Sequence, residues 1–459
     1  MTNSPARRKP SPGRRPPLRD QAPGLSSRAL ALDVLERLTR DREGLDAVLE
    51  EKSILRRFEA LDLRDRAFVR NLVATALRHQ GEIEAVIAAL VHRPLPTSAA
   101  RTGSLLRLGL VQLLFLDVPD HATVNSSVAL AKAHASSAGF AGLVNGVLRR
   151  AGREREALLA DIDAPVANTP DWLFARWLRS YGAPTARAIA AAHGIEPALD
   201  VTVRGEPEVW AERLGGVVLP TGTVRTPQGG PIGERPGYAE GVWWVQDAAA
   251  ALPTRLFGDV AGKRVADLCA APGGKTAQLA VAGAWVTAVD SSPTRMTRLK
   301  ENLARLRLSA EMVTADLRRF EPSEPFDCIL LDAPCSATGT IRRQPDVAWL
   351  KREADIDRLA ALQAELLRRA VEWLRPGGTL VYSTCSLEPE EGEMQIASLL
   401  ADRTDLHVSP VSPSELPGLE EAMTADGFLR TLPSQWPNEE EPRLSGLDGF
   451  FAARLIKQG

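Results

Sequence analysis

The sequence predicts a multidomain protein. An all-α bundle comes first, then a small mixed α/β adaptor, then a doubly wound α/β domain. Three observations predict this. Helical periodicity continues from about residue 26 to 155, loop signals dominate from Gly215 to Gly241, and strands and helices alternate from about 241 onward. A chain of 459 residues is also too long for one ordinary domain. The expected divisions are 1–25, 26–155, 156–240 and 241–459.

The first stretch, "MTNSPARRKPSPGRRPPLRDQAPG", is rich in arginine and proline and has no apolar core, so it does not read as a secretory signal. It is expected to be a disordered basic tail, which either brushes nucleic acid or merely solubilises. In "SSRALALDVLERL", Leu30, Val34 and Leu38 fall four apart on one helical face, behind a serine that can cap. "RDRAFVRNLVATALRH", "LLRLGLVQLLFL", "TVNSSVALAKAH" and "GFAGLVNGVLRR" continue the bundle. In the adaptor, "PDWLFARWLRSYG" reads as an amphipathic helix with Trp172 and Trp177 in the core, and "LDVTVRG" as a strand.

The strands expected in the last domain are "KRVADL", "AWVTAVD", "AEMVTA", "FDCILLD" and "GTLVYSTC". Helical stretches such as "PTRMTRLKENLARLRL" and "DIDRLAALQAELLRRAVEWL" separate them. "GFFAARLIK" alternates as a final antiparallel strand near the sheet edge. The segment before it, "DRTDLHVSPVSPSELPGLEEAMTADG", carries many loop signals and reads as an insertion.

Composition narrows the function classes. With 44% hydrophobic and 25% charged residues, the chain has the make-up of a soluble globular protein. No run of about 18 apolar residues is present to span a membrane. The net charge of −2 gives no global sign of a polyanion partner, so any nucleic-acid contact must concentrate basic residues locally. Cys269, Cys328, Cys335 and Cys385 show no CxxC spacing. That argues against a disulfide framework or a metal site and fits a reducing cytoplasm.

"CAAPGGKT", residues 269–276, joins a strand to a helix. A Walker A loop would need glycine where Cys269 stands, which counts against a P-loop NTPase. A nicotinamide site would need G-x-G-x-x-G, and only Gly273 and Gly274 are present. A third reading fits better. Asp290, Asp316 and Asp332 recur at the carboxyl ends of successive strands, where α/β sheets bind ligands. With a turn lacking a diphosphate cradle, they suit a nucleoside without phosphates: S-adenosylmethionine. Asp290 would then take the ribose, Asp316 the adenine amino group, and the turn the methionine portion. Singly, each aspartate reads better as a strand-end cap; three in register favour the ligand site.

Two thiols name the chemistry. Cys335 in "DAPCS" and Cys385 in "YSTCS" follow two strands. Neighbouring parallel strands lie about 4.8 Å apart, so both thiols can face one pocket. Cytosine C5 is a poor nucleophile. A thiolate added at C6 makes it enamine-like, and loss of the C5 proton later expels the sulfur. Cys328, inside "FDCILLD", reads as a buried packing residue. Spacing does not decide which of the two thiols attacks.

"DLCAAPGGKT", "LLDAPCSATGTIRRQPDVAWL" and "YSTCSLEPEEGE" resemble the signature blocks of the NOL1/NOP2/Sun family of RNA cytosine-5 methyltransferases, over roughly residues 165 to 459. "RDRAFVRNLV", "LRLGLVQLLFL", "HATVNSSVALAK" and "LVNGVLRR" resemble a NusB-type RNA-binding domain. The combination is similar to the bacterial members that act on small-subunit (16S) rRNA.

The resemblance implies a Rossmann-like class I methyltransferase domain that uses S-adenosyl-L-methionine on 16S rRNA or an assembling small-subunit particle. It implies a monomer, without membrane or metal. Cys385 would attack, and Cys335 would assist product release. Cys269, Ala270, Ala271, Pro272, Gly273, Gly274 and Lys275, with Asp290, Asp316 and Asp332, would line the cofactor site. Asp332 and Lys275 would also lie near the reacting base. Beyond the "PC" block, Arg342, Arg343, Lys351 and Arg352 are placed to meet an RNA strand. Rival readings are the same chemistry on another rRNA site or a tRNA, and an RNA-binding assembly factor with a vestigial catalytic domain, though a pure binder needs neither thiol.

Overall fold

A computed structural model describes residues 24–227 and 230–459. The expected basic tail, up to residue 23, lies outside the described residues. The chain forms two compact units. The first runs to Thr75 and resumes over Val86–Leu158, and the second comprises Ala76–Ala85 with Leu159–Gly459.

The first unit is helical, as the periodicity predicts. Its first helix, Leu25–Asp41, buries Leu30, Val34 and Leu38 on one face. No serine caps it: the helix starts after Gly24, and Ser27, inside the first turn, donates to the Gly24 carbonyl at 3.0 Å. Helices Ala100–Leu114, Asp120–Ala133 and Ala141–Arg153 pack around the same core.

Residues Ala76–Ala85 belong to the second unit because their polar groups are satisfied there. Arg78 donates to the carbonyls of His193 (2.8 Å) and Arg342 (2.9 Å), and Trp349 donates to the Leu77 carbonyl at 2.8 Å. The helix Asp171–His193 follows. It breaks at Gly182, whose φ of 76° no helix accommodates, and Pro184 restarts it. Trp177 is buried in its core as expected, and Trp172 is half-buried against the same cluster.

The second unit holds two sheets. The smaller is antiparallel, with strands β1 (Leu199–Val203), β2 (Val217–Val218), β3 (Val224–Thr226) and β4 (Trp243–Val245) in the order β2-β3-β1-β4. β4 pairs with β1, so this sheet closes beyond residue 240, where the adaptor was expected to end. A buried bidentate pair fastens it, with Arg225 on Asp200 at 2.7 and 2.8 Å.

The larger sheet contains β5 (Arg264–Leu268), β6 (Trp285–Asp290), β7 (Glu311–Thr314), β8 (Phe326–Asp332), β9 (Leu374–Thr384), β10 (Leu406–Val408), β11 (Leu429–Thr431) and β12 (Phe450–Lys457). The order is β10-β12-β9-β8-β5-β6-β7, with β11 on β12. β9-β8-β5-β6-β7 are parallel, and β12 joins β9 antiparallel. Side chains alternate between two cores. Ile329 and Leu331 meet Leu366, Leu367 and Ile396 on one face, while Cys328 and Leu330 meet Leu252, Leu256 and Leu416 on the other.

The segment read as an insertion is more than that. It supplies the edge strand β10, and its Val411, Leu416, Leu419 and Ala422 complete the second core. Isolated apolar residues among prolines and glycines gave no period from which to read this.

Candidate active site

From β5 the chain proceeds to β6 and β7 on one side, then returns to β8 on the other. The carboxyl ends of β5 and β8 therefore flank a topological switch point, where such sheets open a crevice for ligands. "CAAPGGKT" leaves β5 and "DAPCS" leaves β8, so the fold brings the two motifs together.

The turn after β5 reverses within a few residues. Cys269 takes φ 63°, the Ala271–Pro272 bond is cis, and Gly273 takes φ 101° before the helix Gly274–Val281 starts. The φ of Gly273 is one that L side chains rarely adopt, and a Cβ there would also crowd the Leu299 side chain at 3.0 Å. Asp290, buried at the end of β6, accepts the Ala271 N–H at 3.2 Å and the Ser292 N–H at 2.9 Å, and pairs with Arg295 at 3.3 Å. It thus joins the turn after β5 to the end of β6. Burial, with Asp290 and Asp332 nearby, pushes the Cys269 thiol well up, which keeps it neutral.

Asp316, just past β7, is clasped by the guanidinium of Arg318, the nearest Nη at 2.6 Å. That partner and the Arg318 N–H hold its carboxyl at about 2. Asp332 ends β8, accepts from Lys275 Nζ at 2.6 Å and from Ser383 Oγ at 3.0 Å, and is 30% exposed against 10% for Lys275. The ammonium of Lys275 also sits 4.8 Å from the centre of the Phe450 ring.

The thiols of Cys335 and Cys385 lie 3.4 Å apart. Parallel pairing of β8 with β9, which sets Asp332 opposite Ser383, delivers both loops to one spot. The contact with Cys385 and burial drive the Cys335 thiol well above its ordinary value. Cys328 is buried within β8, apart from this site.

The basic residues beyond the "PC" block divide. Arg342 was expected to meet RNA, but it is buried, paired to Asp247 at 2.8 Å and donating to the Ser445 carbonyl at 3.1 Å. A guanidinium enclosed in this way is not offered to a passing strand, so Arg342 holds the fold and does not meet RNA. Arg343 lies bidentate on Asp448, its Nε donating to Oδ1 at 3.0 Å and its Nη2 to Oδ2 at 2.5 Å, with its side chain 36% exposed. Lys351 is half-buried and Arg352 exposed.

Some residues at the site escaped the sequence reading. Asp267 is fully buried in β5, accepts from Thr276 at 2.5 Å and leaves its second oxygen without a partner among the described residues. Burial pushes it up to about 7, with Asp332 and Asp290 adding to the effect. A single acid inside "RVADL" was the available signal. Glu391 stands inside "YSTCSLEPEEGE" as one of four acids, with nothing to single it out, while Asp448 and Phe450 lie far from the signature blocks in sequence and gave no signal.

Among the described residues, no cluster of side chains is arranged to hold a metal, and no helix is long and apolar enough to cross a membrane.

A doubly wound parallel sheet with a glycine turn, strand-end carboxylates and an antiparallel last strand defines a Rossmann-like methyltransferase domain, here preceded by a NusB domain. Residues 257–456 match the 16S rRNA methyltransferase RsmB/F family, and residues 25–153 match the NusB family. The ribosomal RNA small subunit methyltransferase B of Klebsiella pneumoniae is 37% identical over 462 aligned positions, covering 95% of this chain and 99% of that one. The chain belongs to the ribosomal RNA small subunit methyltransferase B family.

Among solved structures, PH0851 shares the fold, with a TM-score of 0.74 at 23% identity over 95% of this chain and 99% of its own. A methyltransferase homolog protein from Pyrococcus horikoshii reaches a TM-score of 0.51 at 28% identity, over 66% of this chain and 98% of its own.

Proposed function

We propose that this protein methylates C5 of a cytosine in 16S rRNA, with S-adenosylmethionine as donor and a covalent bond from Cys385 to C6 as intermediate. The observation that carries the reading is the 3.4 Å approach of two thiols beside the Lys275–Asp332 pair, at the mouth of the switch-point crevice. Packing alone calls for neither a pair of thiols nor an ion pair at that place.

The residues around the turn fit the donor. A buried carboxylate (Asp290) suits ribose hydroxyls, the orphaned oxygen of Asp267 can accept from a cationic or hydroxyl group, and Asp316 stands at the next strand end. When bound there, S-adenosylmethionine supplies an electrophilic methyl on a sulfonium.

The protein's own groups do the rest. The Cys385 thiolate adds to C6, and the displaced π electrons gather toward C5 and N3. The Asp332 carboxylate, held by Lys275 and Ser383, accepts from the exocyclic amino group of the base, and the Lys275 ammonium beside it steadies that charge. Once C5 carries the methyl, its proton must leave so that the C5–C6 double bond reforms and Cys385 departs as thiolate.

Cys335 is suited to take that proton. What chiefly holds it protonated is its contact with Cys385. When Cys385 is committed to carbon as a thioether that contact is lost, so Cys335 gives up its own proton to water and, as thiolate, takes the one from C5. In this reading Arg343, Lys351 and Arg352 meet the RNA backbone, and the NusB domain binds the rRNA or an assembling small-subunit particle.

The test is bisulfite sequencing of 16S rRNA, or of small-subunit particles, incubated with the protein and S-adenosylmethionine. One newly protected cytosine is expected. Methyl incorporation without a protected cytosine would overturn the C5 assignment.

A further inference from the structure

Glu391 has no place in the mechanism above, yet it sits behind both thiols. It ends the short turn Pro389–Glu391 and is wholly buried. One carboxylate oxygen accepts the Ser336 N–H at 2.9 Å and the Gln363 amide at 3.0 Å. The other accepts the Ser386 hydroxyl at 2.5 Å and the Ser336 hydroxyl. Its own carbonyl accepts the Tyr382 hydroxyl at 2.8 Å. All these donors are neutral. Ser336 directly follows Cys335, and Ser386 directly follows Cys385.

A desolvated carboxylate is costly to bury, and apolar side chains would fill the space at less expense. What a carboxylate offers instead is several acceptor sites in one rigid plane, enough to hold two loops at once. We propose that Glu391 is a positioning residue: it ties the loop after Cys335 to the loop after Cys385 and so fixes the separation of the two thiols. Its charge also lies on Cys335, adding to the contact with Cys385 and to burial in keeping that thiol protonated. The inference rests on the reading of these thiols as the reacting pair.

The experiment compares the full chain with Glu391→Gln and with a Ser336→Ala/Ser386→Ala double variant. The second keeps the charge and removes only the hydroxyl tethers, so spacing is separated from ionisation. The first readout is the rate at which Cys335 and Cys385 close to a disulfide in a glutathione buffer, followed by peptide mass spectrometry. Two thiol protons and two electrons pass to glutathione disulfide, which is released as two glutathione thiols. This needs neither RNA nor cofactor.

Closure should slow about tenfold or more in the double serine variant, the scale set by losing a hydrogen bond to a charged group, and by a smaller factor in Glu391→Gln, where the lost charge eases ionisation of Cys335. In steady-state methylation, kcat should fall while KM for RNA and affinity for S-adenosylhomocysteine stay near wild type. Closure at the wild-type rate, with only the melting temperature lowered, would leave Glu391 a stability residue and overturn the proposal. Should Glu391→Gln not fold, the double serine variant decides by the same two readouts. Slowed closure in a protein that methylates no cytosine would uphold the positioning role and sink the proposed function instead.

Discussion

Replacing Cys335 with alanine should separate attack from release. The substitution removes one sulfur atom that touches Cys385 at 3.4 Å. A lost thiol hydrogen bond costs about 1 kcal/mol, so the variant should remain folded. The kinetic penalty should be far larger. A positioned acid or base contributes about 10²–10⁴-fold, which corresponds to about 3–5 kcal/mol of barrier. Attack by Cys385 needs no help from Cys335, so only the steps after methyl transfer should slow.

Mixed with labelled 16S rRNA fragment and S-adenosylmethionine, Cys335→Ala should therefore accumulate an RNA–protein species that survives denaturing electrophoresis. Multiple turnover should fall by the factor above. Cys385→Ala should form no such species, and Cys328→Ala, altered within the sheet core, should turn over normally if it folds. An adduct in Cys385→Ala with none in Cys335→Ala would reverse the two roles. No adduct change in either, with only some loss of stability, would reduce both thiols to packing.

Asp290→Ala should weaken S-adenosylmethionine binding by about 1–3 kcal/mol, the scale for leaving polar groups unpaired; calorimetry on the folded variant reads this, and unchanged affinity refutes the ribose assignment. Asp267, pushed up to about 7, favours its protonated form in the native state. Its contribution to stability is therefore full below about pH 4 and lost as pH rises through about 7, by about 4 kcal/mol in all. Denaturant midpoints of the cofactor-free protein should fall between pH 5 and 8 relative to Asp267→Asn, and parallel curves would count against the buried acid. Arg342→Leu should destabilise by about 3–5 kcal/mol, because it leaves Asp247 buried without its closest partner. Lys351→Ala and Arg352→Ala should leave stability alone and reduce the slope of log affinity against log salt by about 0.7–0.9 each. An unchanged slope would remove them from the RNA path.

Most of the architecture was legible because it depends on local period. Helical spacing marked the face of Leu30, Val34 and Leu38, and alternation with β-branched runs marked β5, β6, β8 and β9. The segment 402–427 was not legible, since its four core residues are spread among turns with no repeat. Nor was the end of the smaller sheet: β4 belongs to it only through pairing with β1, and pairing partners distant in sequence leave no local trace.

At the site, the sequence by itself determined the chemical inventory: a glycine turn that fails as a phosphate cradle, carboxylates at successive strand ends, and two thiols each following a strand. Those are properties of residue type and of the two-residue period of a strand. Only the tertiary structure decided which groups meet. The registers of β8 with β5 and of β8 with β9 bring Lys275 to Asp332 and Cys335 to Cys385. Burial turned Arg342 from a supposed RNA contact into half of an enclosed ion pair, and it lifted Asp267 toward neutrality. Glu391 became a tether only when the chain folded it behind both loops. Distance and desolvation act through space, and a one-dimensional sequence records neither.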